Sequence, residues 1–111
     1  MARRGDGISA DDRRALAAAF LGVRVGELLP HLHDVASNSS VSRTEYIATC
    51  PGCGKEAALS FKQGQGGIVA MCLAGCESVT VAKAIIDRRL TAGEHPEHLW
   101  GRADRALAGD A

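Results

Sequence analysis

The stretches Cys50-Pro51-Gly52-Cys53 and Cys72-Leu73-Ala74-Gly75-Cys76 hold all four cysteines of this 111-residue chain, and their spacing decides the fold. Each stretch places two thiols in one tight turn, and residues 54–71 between them suffice for two short strands and a reversal. A hairpin of this kind returns the second pair of thiols beside the first. The pattern therefore predicts one structural Zn²⁺ ion bound by Cys50, Cys53, Cys72 and Cys76, in a closed shell with no open position for catalysis.

The residues around the thiols suit tight turns. Pro51 presets one backbone angle of the first turn, and Gly54 permits a left-handed conformation while backbone N–H groups point at the sulfurs. The second pair is one residue further apart than the first, and Gly75 can absorb that residue. Both turns are predicted to be zinc knuckles, in which the metal supplies about 10 to 16 kcal/mol of folding free energy.

Three other uses of four cysteines have to be weighed against zinc. Two disulfides are typical of secreted proteins, but the basic N-terminal region is interrupted by aspartates and lacks a convincing cleavage site. A redox C-x-x-C motif would leave the second pair unexplained. A tetrathiolate iron site needs the same four ligands and stays open beside zinc.

Three strands are predicted around the cysteines. β-favouring residues fill 44–49 and lead into the first cysteine, and two further strands fit 58–62 and 68–72 with a turn between them. The run of small polar residues at 36–42 predicts a loop. The expected sheet is therefore antiparallel and three-stranded.

Short helices are predicted on both sides of this sheet. Ser9 is a candidate N-cap for the first helix, and a second helical piece follows with a kink at Pro30. Ser78 or Thr80 is expected to cap a helix that runs to about residue 90, and apolar spacing predicts a last short helix through Trp100.

The predicted fold class is α+β, a small zinc ribbon flanked by short helices. Its expected segments are an N-terminal helical segment over 1–36, the zinc ribbon with its following helix over 43–90, and a C-terminal short helix and tail over 91–111. Only four residues are aromatic, at positions 20, 46, 61 and 100, so the core is thin and a metal or a partner is needed to stabilise it.

The charge balance limits the classes of partner. Thirteen basic and thirteen acidic residues give a net charge of zero, which argues against coating nucleic acid by bulk charge. Any contact with nucleic acid must therefore be local. No stretch approaches the roughly 20 apolar residues that span a bilayer, so a soluble, cytoplasmic protein without a membrane partner is expected.

The ribbon sequence resembles the zinc-binding domain of bacterial and phage DNA primases, in a divergent version. The likeness lies in Tyr46-Ile47-Ala48-Thr49-Cys50-Pro51-Gly52-Cys53, in Leu59-Ser60-Phe61, in 68–76 and in the helix from Val79, and it spans about residues 25–90. That family carries a Cys-His-Cys-Cys ligand set, whereas Cys53 stands here in the position of the histidine. The proline common before the serine strand is also missing.

The resemblance implies recognition of single-stranded template DNA, together with a separate protein such as a primase catalytic subunit, a helicase or a polymerase. Exposed aromatic rings stack on bases and cations bind phosphates. The expected stacking residues are Tyr46 and Phe61, although a core position is the competing explanation for Phe61, and the expected phosphate contacts are Arg43, Lys55 and Lys62. Primer synthesis needs clustered carboxylates that hold Mg²⁺, and Asp11-Asp12 are better explained as a helix start, so the chain itself is not expected to be an enzyme.

A second function class is a protein-interaction adaptor. A zinc ribbon of phage or mobile-element origin could dock on host replication or transcription machinery instead of on DNA. The zero net charge, the polar stretch at 36–42 and the helical flank with Trp100 favour this alternative.

Overall fold

The computed structural model describes residues 9–39 and 44–108 and has the predicted α+β class. Within these residues, helices lie on both sides of one antiparallel sheet in the sequence. The helices are α1 (Ala10–Phe20), α2 (Val25–Leu28) with a 3₁₀ turn over Leu29–His31, α3 (Ser78–Thr91) and α4 (Pro96–Leu107). The strands are β1 (Ala36–Ser39), β2 (Thr44–Ala48), β3 (Leu59–Gly64) and β4 (Gly67–Cys72).

Over residues 9–39 and 44–108 the sheet has four strands in the order β1-β2-β3-β4, so the expectation of three strands is wrong. The extra strand is β1, which lies in the stretch predicted to be a loop and pairs antiparallel with β2, with Ser37 opposite Tyr46. Its serines and asparagine have low strand propensity, but the open edge of β2 supplies hydrogen-bond partners, and such pairing overrides propensity at an edge. Arg43 lies outside the described residues.

The predicted hairpin is confirmed and joins β3 to β4. Gly64 pairs with Gly67 across a turn, and Leu59 pairs with Cys72 at the other end. The turn is pinned to the end of α1, because Gly22 N–H donates to Gly66 O at 2.7 Å. Gly67 has φ +137°, and a Cβ there would overlap the carbonyl oxygen of Phe20. The close approach of the turn to α1 thus requires glycine at position 67.

The predicted start of α1 is confirmed, since Ser9 Oγ accepts a hydrogen bond from Asp12 N–H at 3.0 Å. The helix buries a row of small side chains against α3 and α4, so the terminal helices share one core with the sheet. The predicted cap of α3 is wrong. Glu77 occupies the N-cap position without a side-chain cap hydrogen bond, and Ser78 is the first helical residue.

The two faces of the sheet differ in what covers them. Strand alternation places Tyr46, Ala48, Leu59 and Phe61 on the side that joins the core. The opposite side, here called the outer face, presents both charged and apolar side chains to solvent. It comprises Glu45, Ile47, Ser60, Lys62, Val69 and Met71, with Leu73 just beyond β4.

Candidate metal centre

The four cysteine thiols converge at the end of the sheet furthest from the β3–β4 turn. Their sulfur atoms all lie within 4.8 Å of one another. Cys50 Sγ lies 4.0 Å from Cys76 Sγ, and Cys53 Sγ lies 3.9 Å from Cys72 Sγ. A tetrahedron with metal–sulfur bonds of about 2.3 Å has sulfur–sulfur edges of about 3.8 Å. The predicted ligand set is therefore brought together at the spacing that one tetrahedral metal ion requires.

Two tight backbone turns position the thiols, as predicted from the glycines beside the cysteines. Gly54 has φ +76° and donates its N–H to Cys50 O at 2.8 Å, which closes the first turn. Gly75 has φ +108° and donates to Cys72 O at 3.2 Å, which closes the second. Both positions lie in the left-handed region that glycine adopts without steric cost.

The sulfur distances also favour a metal site over disulfides. All four cysteines are free thiols. Sulfurs 3.9 and 4.0 Å apart are far from the bonded distance of about 2.05 Å, and the short distances join one turn to the other. A tetrathiolate shell suits zinc or iron and fills every tetrahedral position, so it leaves no open position for a catalytic water.

The thiols differ in how readily they ionise. Backbone N–H groups, above all that of Cys76, lower the pKa of Cys72 to about 6. The hydrogen bond with the Cys53 sulfur is the largest of several causes that raise the pKa of Cys76 to about 12, and burial raises the pKa of Cys50. Four adjacent sulfurs therefore do not all ionise unless a cation neutralises them, which is the electrostatic role of a bound metal.

The thiols lie against the start of α3. A Cβ on Gly52 would lie 3.2 Å from Thr80 Cγ2 and 3.4 Å from Cys76 Sγ, so the first turn packs directly on this helix. The N-terminal end of a helix carries a partial positive charge, which favours nearby thiolates. The helix that follows the second pair of cysteines thus supports the site electrostatically as well as sterically.

The predicted base-stacking residues do not form an exposed platform. Phe61 is only 1% exposed, so a nucleic-acid base cannot reach its ring, and this assignment is wrong. Its competing explanation as a core residue is confirmed. Tyr46 is half-buried and stacks on Phe61 with ring centroids 5.2 Å apart, so one of its faces is occupied from within the protein.

The predicted phosphate contacts are dispersed. Lys55 is exposed in the loop after the first turn, where its carbonyl accepts from Cys50 N–H at 3.0 Å. Lys62 lies on the outer face, directly opposite Glu45 on the neighbouring strand. Because a carboxylate faces it, Lys62 brings little net positive charge to that surface.

The sequence pattern did not predict the exposed apolar side chains on the outer face. Val69 is 55% exposed, and Met71 and Leu73 are each 63% exposed. Together with Glu45, Ser60 and Lys62 they line a shallow depression of about 200 Å³. Exposed apolar side chains that cluster in this way mark binding surfaces more often than single ones do.

A partly buried charge cluster holds α2 against α3 and α4. Arg89 is 3% exposed and donates to Glu94 at 2.7 and 2.9 Å, while Arg102 donates to Glu27 at 3.1 Å. His31 Nε2 lies 3.2 Å from the Glu94 carboxylate. The hydrogen bond from Arg89 is the largest cause that lowers the pKa of Glu94. Arg89 is therefore a structural residue of the core and not an exposed residue of α3.

Comparisons of the chain with protein-family models, curated proteins and solved structures found no match. Within the described ranges 9–39 and 44–108, none of the helices combines the length and the apolar character needed to cross a bilayer.

Proposed function

We propose that this chain is a zinc-binding module that recognises single-stranded template DNA in a primase-type replication system and works with a separate catalytic protein. The observation that carries the proposal is the pairing of a four-thiol site with an uncovered sheet face. The site closes one end of the β3–β4 hairpin, and the outer face of the same hairpin stays free for a ligand. The resemblance of the ribbon sequence to primase zinc-binding domains supports the choice of ligand.

Zinc is the metal that this proposal assigns to the thiols. Four thiolates at tetrahedral spacing suit Zn²⁺, which has no redox chemistry and serves in closed sites as a folding element. Metal analysis of protein purified without added metal tests the assignment. One zinc per chain, with iron absent, is the expected result, and one iron per chain would refute it.

In this proposal, the nucleic-acid bases contact apolar side chains of the outer face and not aromatic rings. The depression on the outer face is lined by Val69, Met71 and Leu73 on one side and by Lys62 on the other. Flexible, polarisable methionine packs well on flat ring systems. Lys62, together with the exposed Lys55, would contact phosphates. With so few cations, binding is expected to be weak and to weaken further with salt.

Fluorescence anisotropy of a labelled single-stranded oligonucleotide at two salt concentrations tests this proposal. Met71→Ala and Lys62→Ala should each weaken binding, and only Lys62→Ala should also reduce the dependence on salt. Lys83→Ala is the matched control, because Lys83 lies on α3 and pairs with Asp12 at 3.0 Å, away from the outer face. Equal weakening by all three variants, or no binding at low salt, would refute DNA recognition by this surface.

A protein-docking adaptor is the second candidate, and one observation favours it. The outer face exposes apolar side chains and balances Lys62 with Glu45, a composition closer to a protein interface than to a phosphate-binding surface. Under this alternative, the chain binds no oligonucleotide at low salt, while Met71→Ala still weakens capture of a purified replication or transcription protein.

A further inference from the structure

An apolar groove lies at the corner of the molecule opposite to the thiols. Its walls are α1, the β3–β4 turn and the last residue of α4, and they enclose about 410 Å³. Leu21, Val69 and Leu107 line it at 39, 55 and 41% exposed. Within the described residues these are three of the six exposed large apolar side chains, so the groove concentrates a feature that soluble surfaces normally disperse.

The backbone at the floor of this groove is already hydrogen-bonded. Leu21 forms a β-bridge with Gly67, and Gly22 N–H donates to Gly66 O. An extended peptide that adds a strand needs free main-chain groups, and at the turn the groups that join Leu21 to Gly67 and Gly22 to Gly66 are already paired. An occupant with its own backbone satisfied, namely a helix, fits instead.

The rim of the groove carries one uncompensated charge. Arg13 is exposed and forms no ion pair within the described part of the chain, whereas its neighbour Arg14 pairs with Asp104 at 2.7 Å and lies 4.8 Å from the centre of the Trp100 ring. An acidic group on the occupant would complement Arg13.

We propose that the groove binds an amphipathic helix of a partner protein, with an acidic residue at the end that meets Arg13. The eleven residues of α1 span about 16 Å at 1.5 Å per residue, which matches an occupant of about three turns. Its apolar anchors would recur at i, i+3, i+4 and i+7 and contact Leu21, Val69 and Leu107. This site shares only Val69 with the outer-face depression and does not depend on DNA binding.

Two fluorescein-labelled designed peptides of about three helical turns are the probes. Both carry leucine at i, i+3, i+4 and i+7, and they differ only in a terminal glutamate or lysine. Titration with the full, zinc-loaded chain should show tighter binding of the glutamate peptide. Leu107→Glu should weaken that binding about tenfold or more, because it places a charge in the apolar contact. Arg13→Glu should weaken the glutamate peptide and strengthen the lysine peptide, each about tenfold.

Leu73→Glu is the matched control, since Leu73 is 63% exposed but lies outside the groove, and its peptide affinity should equal that of the unchanged protein. Three results would overturn the proposal. The first is the lack of saturable peptide binding, and the second is an equal response of both peptides to Arg13→Glu. The third is self-association that Leu107→Glu abolishes in sedimentation, which would assign the groove to a second copy of the chain. Oligonucleotide affinity, measured in parallel, separates failure here from failure of the DNA proposal.

Discussion

Removing single sulfur ligands tests the role of the thiol cluster most directly. Cys50 is fully buried and Cys53 is exposed, although both belong to the first turn. A serine at position 53 leaves three thiolates and a position that water can fill. A serine at position 50 leaves an unfilled ligand position that bulk water does not reach. Cys50→Ser is therefore expected to destabilise the protein more than Cys53→Ser.

The size of the effect follows from the thin core. A chain of 111 residues at about 0.05 to 0.15 kcal/mol per residue has a total unfolding free energy of about 6 to 17 kcal/mol. A structural zinc ion contributes about 10 to 16 kcal/mol, which is comparable to that total. Complete loss of the metal should therefore unfold the hairpin, and Cys50→Ser should approach this limit.

Circular dichroism melts, paired with metal content, measure the prediction. The unchanged protein should hold one metal per chain and lose its cooperative transition when a chelator is added. Cys53→Ser should retain metal with lower affinity and melt at an intermediate temperature. If the chelated protein and both variants melted at the same temperature as the unchanged protein, the thiol cluster would not stabilise the fold. The assignment of a structural metal would then be refuted.

Three further substitutions test other parts of the structure. Phe61→Ala should lower the free energy of unfolding, measured with denaturant, by about 3 to 5 kcal/mol. Phe61→Leu should lower it little and leave oligonucleotide affinity unchanged, since no base reaches this ring. A selective loss of oligonucleotide affinity in Phe61→Leu would contradict the core position of Phe61. Gly67→Ala should destabilise the protein by more than 1 kcal/mol, because a Cβ there overlaps Phe20 O. Gly66→Ala should destabilise it less, because open space surrounds Gly66. Equal effects of the two variants would argue against the close approach of the turn to α1. Glu94 has a lowered pKa in the folded protein, so its contribution is present above its unfolded pKa of about 4.3 and is lost as the pH falls through the folded value. Glu94→Gln should therefore cost about 1 to 3 kcal/mol at pH 7 and flatten the loss of stability between about pH 5 and pH 3, and an unchanged pH dependence of unfolding would refute the pairing.

The sequence predicted the thiol cluster and the hairpin because both depend on local signals. Two cysteine pairs and the glycines beside them fix two turns, and the residues between them leave room for little besides two strands. The missed strand β1 has no local signal of this kind. Its residues favour a loop, and only the unpaired edge of β2 makes a strand the better solution.

The assignment of side chains to faces failed for a different reason. Alternation along β3 already separates Phe61 from Lys62, so the two could not both have contacted one strand of DNA from the same face. Along β4 every residue from Ile68 to Cys72 is apolar, and alternation alone cannot choose which side chains point inward. The pairing of Leu59 with Cys72 makes that choice and turns Met71 outward. The burial of Arg89 was equally undetectable, since one acidic partner, Glu94, lies beyond the end of α3 and the other, Glu27, lies far away in the sequence.

The β3–β4 hairpin is held at both ends by features that need little apolar surface. At one end, Cys72 brings the strand into the thiol cluster, and at the other, Gly67 lets the turn contact the end of α1. Between these points the core face is packed mainly by small alanines and a few larger side chains, which bring the helices close but bury little area. Because the two ends fix the hairpin, its outer face does not need a covering helix to stay in place. An uncovered apolar surface of this kind lowers solubility. When a ligand covers it, the buried apolar area grows, and a chain with a thin core gains stability from that burial.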